Sequence, residues 1–198
     1  QDSDNPNSSN DFGNDIIPKL IDGERVYSHQ FGGDSGRVTN DAYWRDVGTI
    51  DSYYQANMDL LNPIAPMDLY QQDWAIRTYE PQLPPARTVS SVTGNEGIFI
   101  NSIISNGVII SGGSVQNSVL SPGVHIEDSA TIADSILFDN VQVGEGCQLR
   151  NCIIDKHVVI PAGTKIGFNS AKDSKRFQIS EKGIVVVPES YHFESSAN

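Results

Sequence analysis

Basic residues are scarce in this chain: 13 Lys and Arg stand against 25 Asp and Glu, a net charge of −12 over 198 residues. Binding along nucleic acid needs a basic face to displace counterions from phosphates, and so does docking on an anionic membrane. Neither partner is expected. Cysteine is nearly missing. Two residues, Cys147 and Cys152, cannot build a disulfide framework, which makes a reduced, cytoplasmic setting the simpler expectation. No apolar run reaches the length of a membrane span, and no signal-peptide pattern is present. The opening segment, Gln1 to Asn10, has no initiating Met and is polar throughout. Its composition is that of a disordered segment, and it reads as a linker or as the edge of a longer protein. A hydrophobic share of 38% is compatible with a soluble globular core.

What is present falls into two parts. Up to about Arg87 the chain carries one clear helix. Thr49 suits an N-cap, and Ile50, Tyr53, Tyr54, Met58 and Leu61 follow helical spacing, so one face is apolar. Asn62-Pro63 stops it. The run Trp74 to Tyr79 alternates as a strand does, and Pro81, Pro84 and Pro85 then mark a boundary.

Beyond Arg87 the chain repeats. Asn101-Ser102-Ile103-Ile104, Asn117-Ser118-Val119-Leu120, Asp134-Ser135-Ile136-Leu137 and Asn151-Cys152-Ile153-Ile154 correspond at intervals of 16, 17 and 17. Val108, Val124, Val141 and Val158 keep the same intervals, as do Ser114, Ala130, Cys147 and Thr164. Three short strands per period predict a three-sided parallel coil whose inward side chains stack from turn to turn. An evenly spaced β-sandwich is the alternative, disfavoured because three series share one spacing. Cys147 and Cys152 fall where other coils hold Ser, Ala or Thr, so both read as small core residues rather than metal ligands.

Several segments resemble one family in its own order: Asn7 to Gly13, Asp15 to Pro18, Tyr43 to Thr49 (YWRDVGT), Trp74 to Tyr79, Leu83 to Ala86, Asn101 to Ile103, Val159 to Gly163 and Gly183 to Val187. The chain is similar to bacterial glucose-1-phosphate adenylyltransferases. The resemblance implies residues 1–87 as the end of a Rossmann-like α/β nucleotidyltransferase domain with its linker. It implies residues 88–198 as a left-handed parallel β-helix for regulation and oligomerisation. It also implies the reaction: ATP and α-D-glucose 1-phosphate give ADP-glucose and pyrophosphate for glycogen biosynthesis, with Mg²⁺ neutralising phosphate charge.

Site residues follow from the same resemblance. Asp46 matches a carboxylate that helps hold the catalytic Mg²⁺, since a hard cation takes carboxylate and phosphate oxygens. Asp11, Phe12 and Trp44 match residues around the glucose phosphate. On spacing alone, Asp46 would be a turn carboxylate capping the next helix. Arg45 stays open between a site role and a surface salt bridge. Arg176 first, and Lys175 second, match the region that binds a phosphorylated allosteric effector. They lie in a stretch, Lys165 to Lys182, with five Lys and Arg against two acids. The bare sequence allows a solvated turn there equally well.

The family's glycine-rich nucleotide loop, substrate lysine and second metal carboxylate would precede Gln1. Gly32 to Gly36 reads as a variable loop instead. The chain is therefore expected to keep one edge of the active site, to lack the ATP site and to be inactive alone, within a homotetramer by family. The competing readings are a non-catalytic β-helix assembly module and a hexapeptide-repeat acyltransferase. For the latter, His125 and His157 lie inside regular repeats, with no long ejected loop beside them.

Overall fold

The computed structural model describes residues 6, 8–28, 42–70, 72 and 77–193. From Arg87 onward the chain winds in coils of three short strands. The first coil holds β1 (Arg87–Val89), β2 (Ile98–Ile100) and β3 (Ile103–Ile104); the second holds β4 (Ile109–Ser111), β5 (Ser114–Gln116) and β6 (Val119–Leu120). The third holds β7 (His125–Ile126), β8 (Thr131–Ala133) and β9 (Ile136–Leu137); the fourth holds β10 (Gln142–Val143), β11 (Gln148–Arg150) and β12 (Cys152–Ile154). The winding ends with β13 (Val159–Ile160) and β14 (Lys165–Ile166), then β15 (Gln178–Ile179) and β16 (Val185–Val187).

Equivalent strands stack into three parallel sheets, β1-β4-β7-β10-β13, β2-β5-β8-β11-β14 and β3-β6-β9-β12-β16. The strand β15 pairs antiparallel with β16 and closes the third sheet. The expected solenoid is thus present, with one correction to its register. Ser114 stacks on Thr131 rather than on Ala130, and Gly113 occupies the inward column of Ala130 and Cys147. A Cβ at Gly113 would come 2.7 Å from Ile126 Cγ2, so the column narrows to glycine there. The corner before Gly113 is one residue shorter than its successors, and counting from strand to strand hides that.

Each coil turns at three corners, and each corner uses a residue at positive φ. One corner series is Asn101, Asn117, Asp134 and Asn151 (φ 45–49°), and another is Gly107, Gly123, Asn140 and His157. Asn and Asp tolerate this conformation through their short polar side chains. Behind the first series runs a buried hydroxyl ladder. Ser118 and Ser135 are fully enclosed. Ser118 Oγ donates to the Gln116 carbonyl (2.7 Å) and accepts from the Ser135 amide (3.1 Å). Ser135 repeats this with the Ala133 carbonyl and the Cys152 amide. Both hydrogen-bonding functions of these hydroxyls are satisfied, as burial requires. Inside, Val108, Val124, Val141, Leu120, Leu137 and Ile154 are wholly enclosed. Cys147 and Cys152 are free thiols and equally enclosed. Burial pushes the Cys152 thiol up to about 12.

Ahead of β1 the described residues form helices and extended chain. A π-helical turn (Phe12–Ile16) runs into α1 (Ile17–Gly23), and neither buries a residue. The helix α2 (Ile50–Asp59) appears where it is expected, capped by Thr49. Its apolar face, Ile50, Tyr53, Tyr54 and Met58, lies on Ile136, Ile153 and Ile184 of the solenoid. Arg77 to Tyr79 form no strand, contrary to the alternating pattern, and Trp74 to Ile76 lie outside the described residues, as do Gly32 to Gly36. Beyond β14 come α3 (Ser170–Asp173) and an aromatic cluster of Phe177, Tyr191 and Phe193.

Candidate functional site

The run Tyr43 to Gly48 has no regular secondary structure and leads directly into α2. At its end, the Thr49 hydroxyl accepts from the Ser52 amide and the Ser52 hydroxyl accepts from the Thr49 amide, both at 3.1 Å, a reciprocal cap. At its start, Tyr43 and Arg45 turn to Asp59, the last residue of α2. The Tyr43 hydroxyl donates to Asp59 at 2.9 Å, Gln55 Nε2 donates at 2.8 Å, and Arg45 Nη2 forms a short ion pair. Burial would raise the Asp59 carboxyl, but bonds from Gln55, Tyr43 and Arg45 outweigh it and hold the group below the usual carboxylate range. Arg45 is thereby accounted for as an ion-pair residue.

Trp44 and Asp46 are both exposed, Trp44 at 79%. Among the described residues, no donor reaches the Asp46 carboxylate. It lies close to Gly48, where an added Cβ would stand 3.2 Å from Asp46 Oδ2. A surface carboxylate is of the chemical class that a hard cation takes beside phosphates and water. No group of three His, Cys, Asp or Glu is arranged to hold a metal among the described residues.

Asp11 and Phe12 sit together on the π-helical turn. Asp11 Oδ1 accepts from the Asn14 amide at 2.7 Å, and Phe12 is 68% exposed. Among the described residues no hydrogen bond or ion pair joins this turn to Asp46. The sequence-expected site thus appears as two exposed pieces, Asp11 with Phe12 and Trp44 with Asp46.

At the far end, Arg176 is exposed and its neighbour Phe177 is buried. The guanidinium lies over Phe177 (4.6 Å), Phe193 (5.4 Å) and Tyr191 (5.8 Å), and its Nε donates to the Tyr191 hydroxyl at 3.1 Å. It borders a 580 Å³ cavity lined also by Pro161, Thr164, Lys165 and His192. Lys165, rather than Lys175, shares this cavity. Sequence reasoning missed Tyr191, His192 and Phe193; aromatic residues at 191 and 193 were the available cue.

Comparison with known proteins decides the family. Residues 84–187 match the model described as GlmU-like, C-terminal hexapeptide. The chain belongs to this hexapeptide-repeat family. Residues 1–63 match the nucleotidyl transferase model. The chain is 66% identical over 195 residues to a glucose-1-phosphate adenylyltransferase 2 of Vibrio cholerae, covering 98% of this chain and 48% of the relative. It is 70% identical over 193 residues to a protein of the same name from Vibrio vulnificus, covering 98% and 48%. A glucose-1-phosphate adenylyltransferase of Koribacter versatilis is 41% identical over 191 residues, covering 96% and 45%. The family member described here spans about half the length of the curated relatives it matches.

Proposed function

We propose that this chain is the solenoid-bearing part of a glucose-1-phosphate adenylyltransferase, which joins ATP and α-D-glucose 1-phosphate to give ADP-glucose and pyrophosphate for glycogen biosynthesis. The observation that carries the reading is the exposed Trp44-Asp46 pair, presented from a run pinned to α2, in a chain 66–70% identical to proteins of that name. Residues 1–87 would belong to the catalytic domain and 88–198 to a regulatory and oligomerising solenoid, within a cytoplasmic homotetramer. No helix of the described residues is long and apolar enough to cross a membrane.

Each residue has a role in this reading. Asp46 would hold Mg²⁺, which, when bound, neutralises charge on phosphate oxygens. Asp11 offers carboxylate oxygens to sugar hydroxyls. Phe12 and Trp44 offer flat apolar faces that cover the sugar ring and exclude water. Arg176 and Lys175 would serve a phosphorylated effector, a guanidinium giving paired donors to phosphate oxygens.

The test uses the full-length enzyme with Asp46→Asn and Arg176→Ala. Asp46→Asn should lower turnover by about 10²-fold or more through loss of one charge at the site. Arg176→Ala should leave effector-free activity nearly unchanged and raise the effector concentration needed about ten- to a hundredfold. Wild-type turnover in Asp46→Asn at limiting Mg²⁺ rejects the site; superimposable activation curves reject the effector role.

A further inference from the structure

We propose that Tyr43, Arg45 and Asp59 are positioning residues that hold Trp44 and Asp46 in place, a role that rests on the site reading above. The argument begins with the oddity of Asp59. It ends α2 and is only 9% exposed. A carboxylate at a helix C-terminus is opposed by the helix dipole, and enclosing it removes water. Nothing in helix formation favours Asp there. Three donors from two elements nevertheless converge on it, from Tyr43, Arg45 and Gln55. Such an arrangement fixes one element against another.

The geometry of the run explains what is fixed. The ten residues of α2 rise about 15 Å. The chain from Tyr43 to Thr49 runs back along that helix and reaches about 20 Å when extended. Both ends are fastened, the first at Asp59 and the second at the Thr49-Ser52 cap. A strap fastened at both ends stays against α2 and cannot swing away from it. With Tyr43 and Arg45 engaged on Asp59, their neighbours Trp44 and Asp46 are left at the surface. The helix is itself seated: Tyr54 Oη donates to the Asp134 carbonyl at 2.7 Å, and Asp51 accepts from the Ser180 hydroxyl and, at 3.3 Å, the Lys182 amide. Asp46 is therefore referenced to the solenoid through α2.

The experiment compares Arg45→Ala, Arg45→Lys and Tyr43→Phe in the full-length enzyme, with Asp46→Asn alongside. Three quantities are read: kcat and KM for glucose 1-phosphate, amide hydrogen exchange of residues 43–48, and the thermal midpoint. Arg45→Ala should lower kcat about tenfold to a hundredfold, because small displacements of reacting geometry cost that much. Exchange across 43–48 should speed up while the thermal midpoint moves little. Arg45→Lys, which keeps the charge, should recover much of kcat, and Tyr43→Phe should fall between. Wild-type kcat and exchange in Arg45→Ala, beside a crippled Asp46→Asn, overturn the positioning role alone. Equal losses in Arg45→Ala and Arg45→Lys that track a lowered thermal midpoint also overturn it, leaving only a structural ion pair. Should Arg45→Ala not fold, unchanged kcat and exchange in Tyr43→Phe overturn the role. Wild-type turnover in Asp46→Asn removes the site reading, and the positioning role with it.

Discussion

Between Val108 and Ile166 almost every inward side chain of the solenoid is enclosed, whereas between Phe12 and Gly23 no side chain is. The solenoid applies one solution repeatedly. Each coil supplies its inward residues, its corner conformations and its ladder bonds, and each buries the next. The segment ahead of it has no repeated solution. It gains order from a few specific contacts, of which α2 on the third sheet is the largest. Stability in the solenoid is therefore spread over neighbouring coils, while the exposed residues proposed to meet substrate sit on the part that depends on single contacts.

The contrast is sharpest for core truncation. Leu137→Ala should cost about 2–5 kcal/mol, since the side chain is fully enclosed and its neighbours cannot collapse independently. Leu20→Ala on α1, where Leu20 is 41% exposed, should stay within about 0.5 kcal/mol. Urea denaturation of both variants measures the difference, and equal midpoints would erase it. Alkali provides the next effect. The Cys152 thiol, ordinarily near 9.0, is raised to about 12 by burial, and the Tyr54 phenol, ordinarily near 10.0, is raised to about 12 chiefly by burial. Both groups ionise more readily in the unfolded chain. Their contribution is intact below pH 9 and is lost as pH climbs from 9 toward 12. Denaturation midpoints at pH 8 and pH 11 should separate, and Cys152→Ala should narrow the gap; an unaltered gap would clear the thiol of any part in it.

Smaller effects probe single bonds. Ser135→Ala leaves the Cys152 amide without its hydroxyl acceptor inside the solenoid, at about 1–3 kcal/mol. Thr49→Ala removes the cap of α2 and should cost about 1 kcal/mol. Because α2 seats the run that carries Asp46, hydrogen exchange should rise across residues 43–53 in Thr49→Ala and remain unchanged in the coils. A rise spread evenly over both regions would mean that they open as one unit.

The repeats were readable because each column poses a single requirement, an enclosed side chain of limited size. The helix α2 was readable because its apolar face and its cap agree. Register failed at Ser114, where a corner one residue short keeps the strand pattern but shifts the inward residue to Gly113. Asp59 as partner of Arg45 was not readable, because an ion pair across 14 positions depends on how the run doubles back along α2. Lys165 beside Arg176 at the cavity was hidden for a similar reason, since coil and tail meet only in three dimensions.

The corner between the first and second sheets has a consequence for how this chain can change length. Thr131 lies over Gln148, so excising residues 131–147 would join Ala130 to Gln148 with every remaining strand in register. Removing one residue inside a strand would turn its inward side chains outward. Smaller changes have a place at a corner, and the chain has two of them at this one. Arg87 lies over Ile109, 22 residues on, because loop 90–97 is inserted between β1 and β2. The corner at Gly112 is a residue shorter than the one at Asp128-Ser129. The loop spans that short corner, Asn95 Nδ2 donating to Asp128 Oδ1 at 2.9 Å and to Ser129 Oγ at 3.1 Å. A Cβ at Gly112 would lie 2.7 Å from Ser91 Cβ, so glycine leaves the loop room to pass. One edge of the prism thus acts as a splice point near the first coils: peptide inserted there extends outward, and the edge between the second and third sheets does the same at the far end, where α3 and β15 stand between β14 and β16.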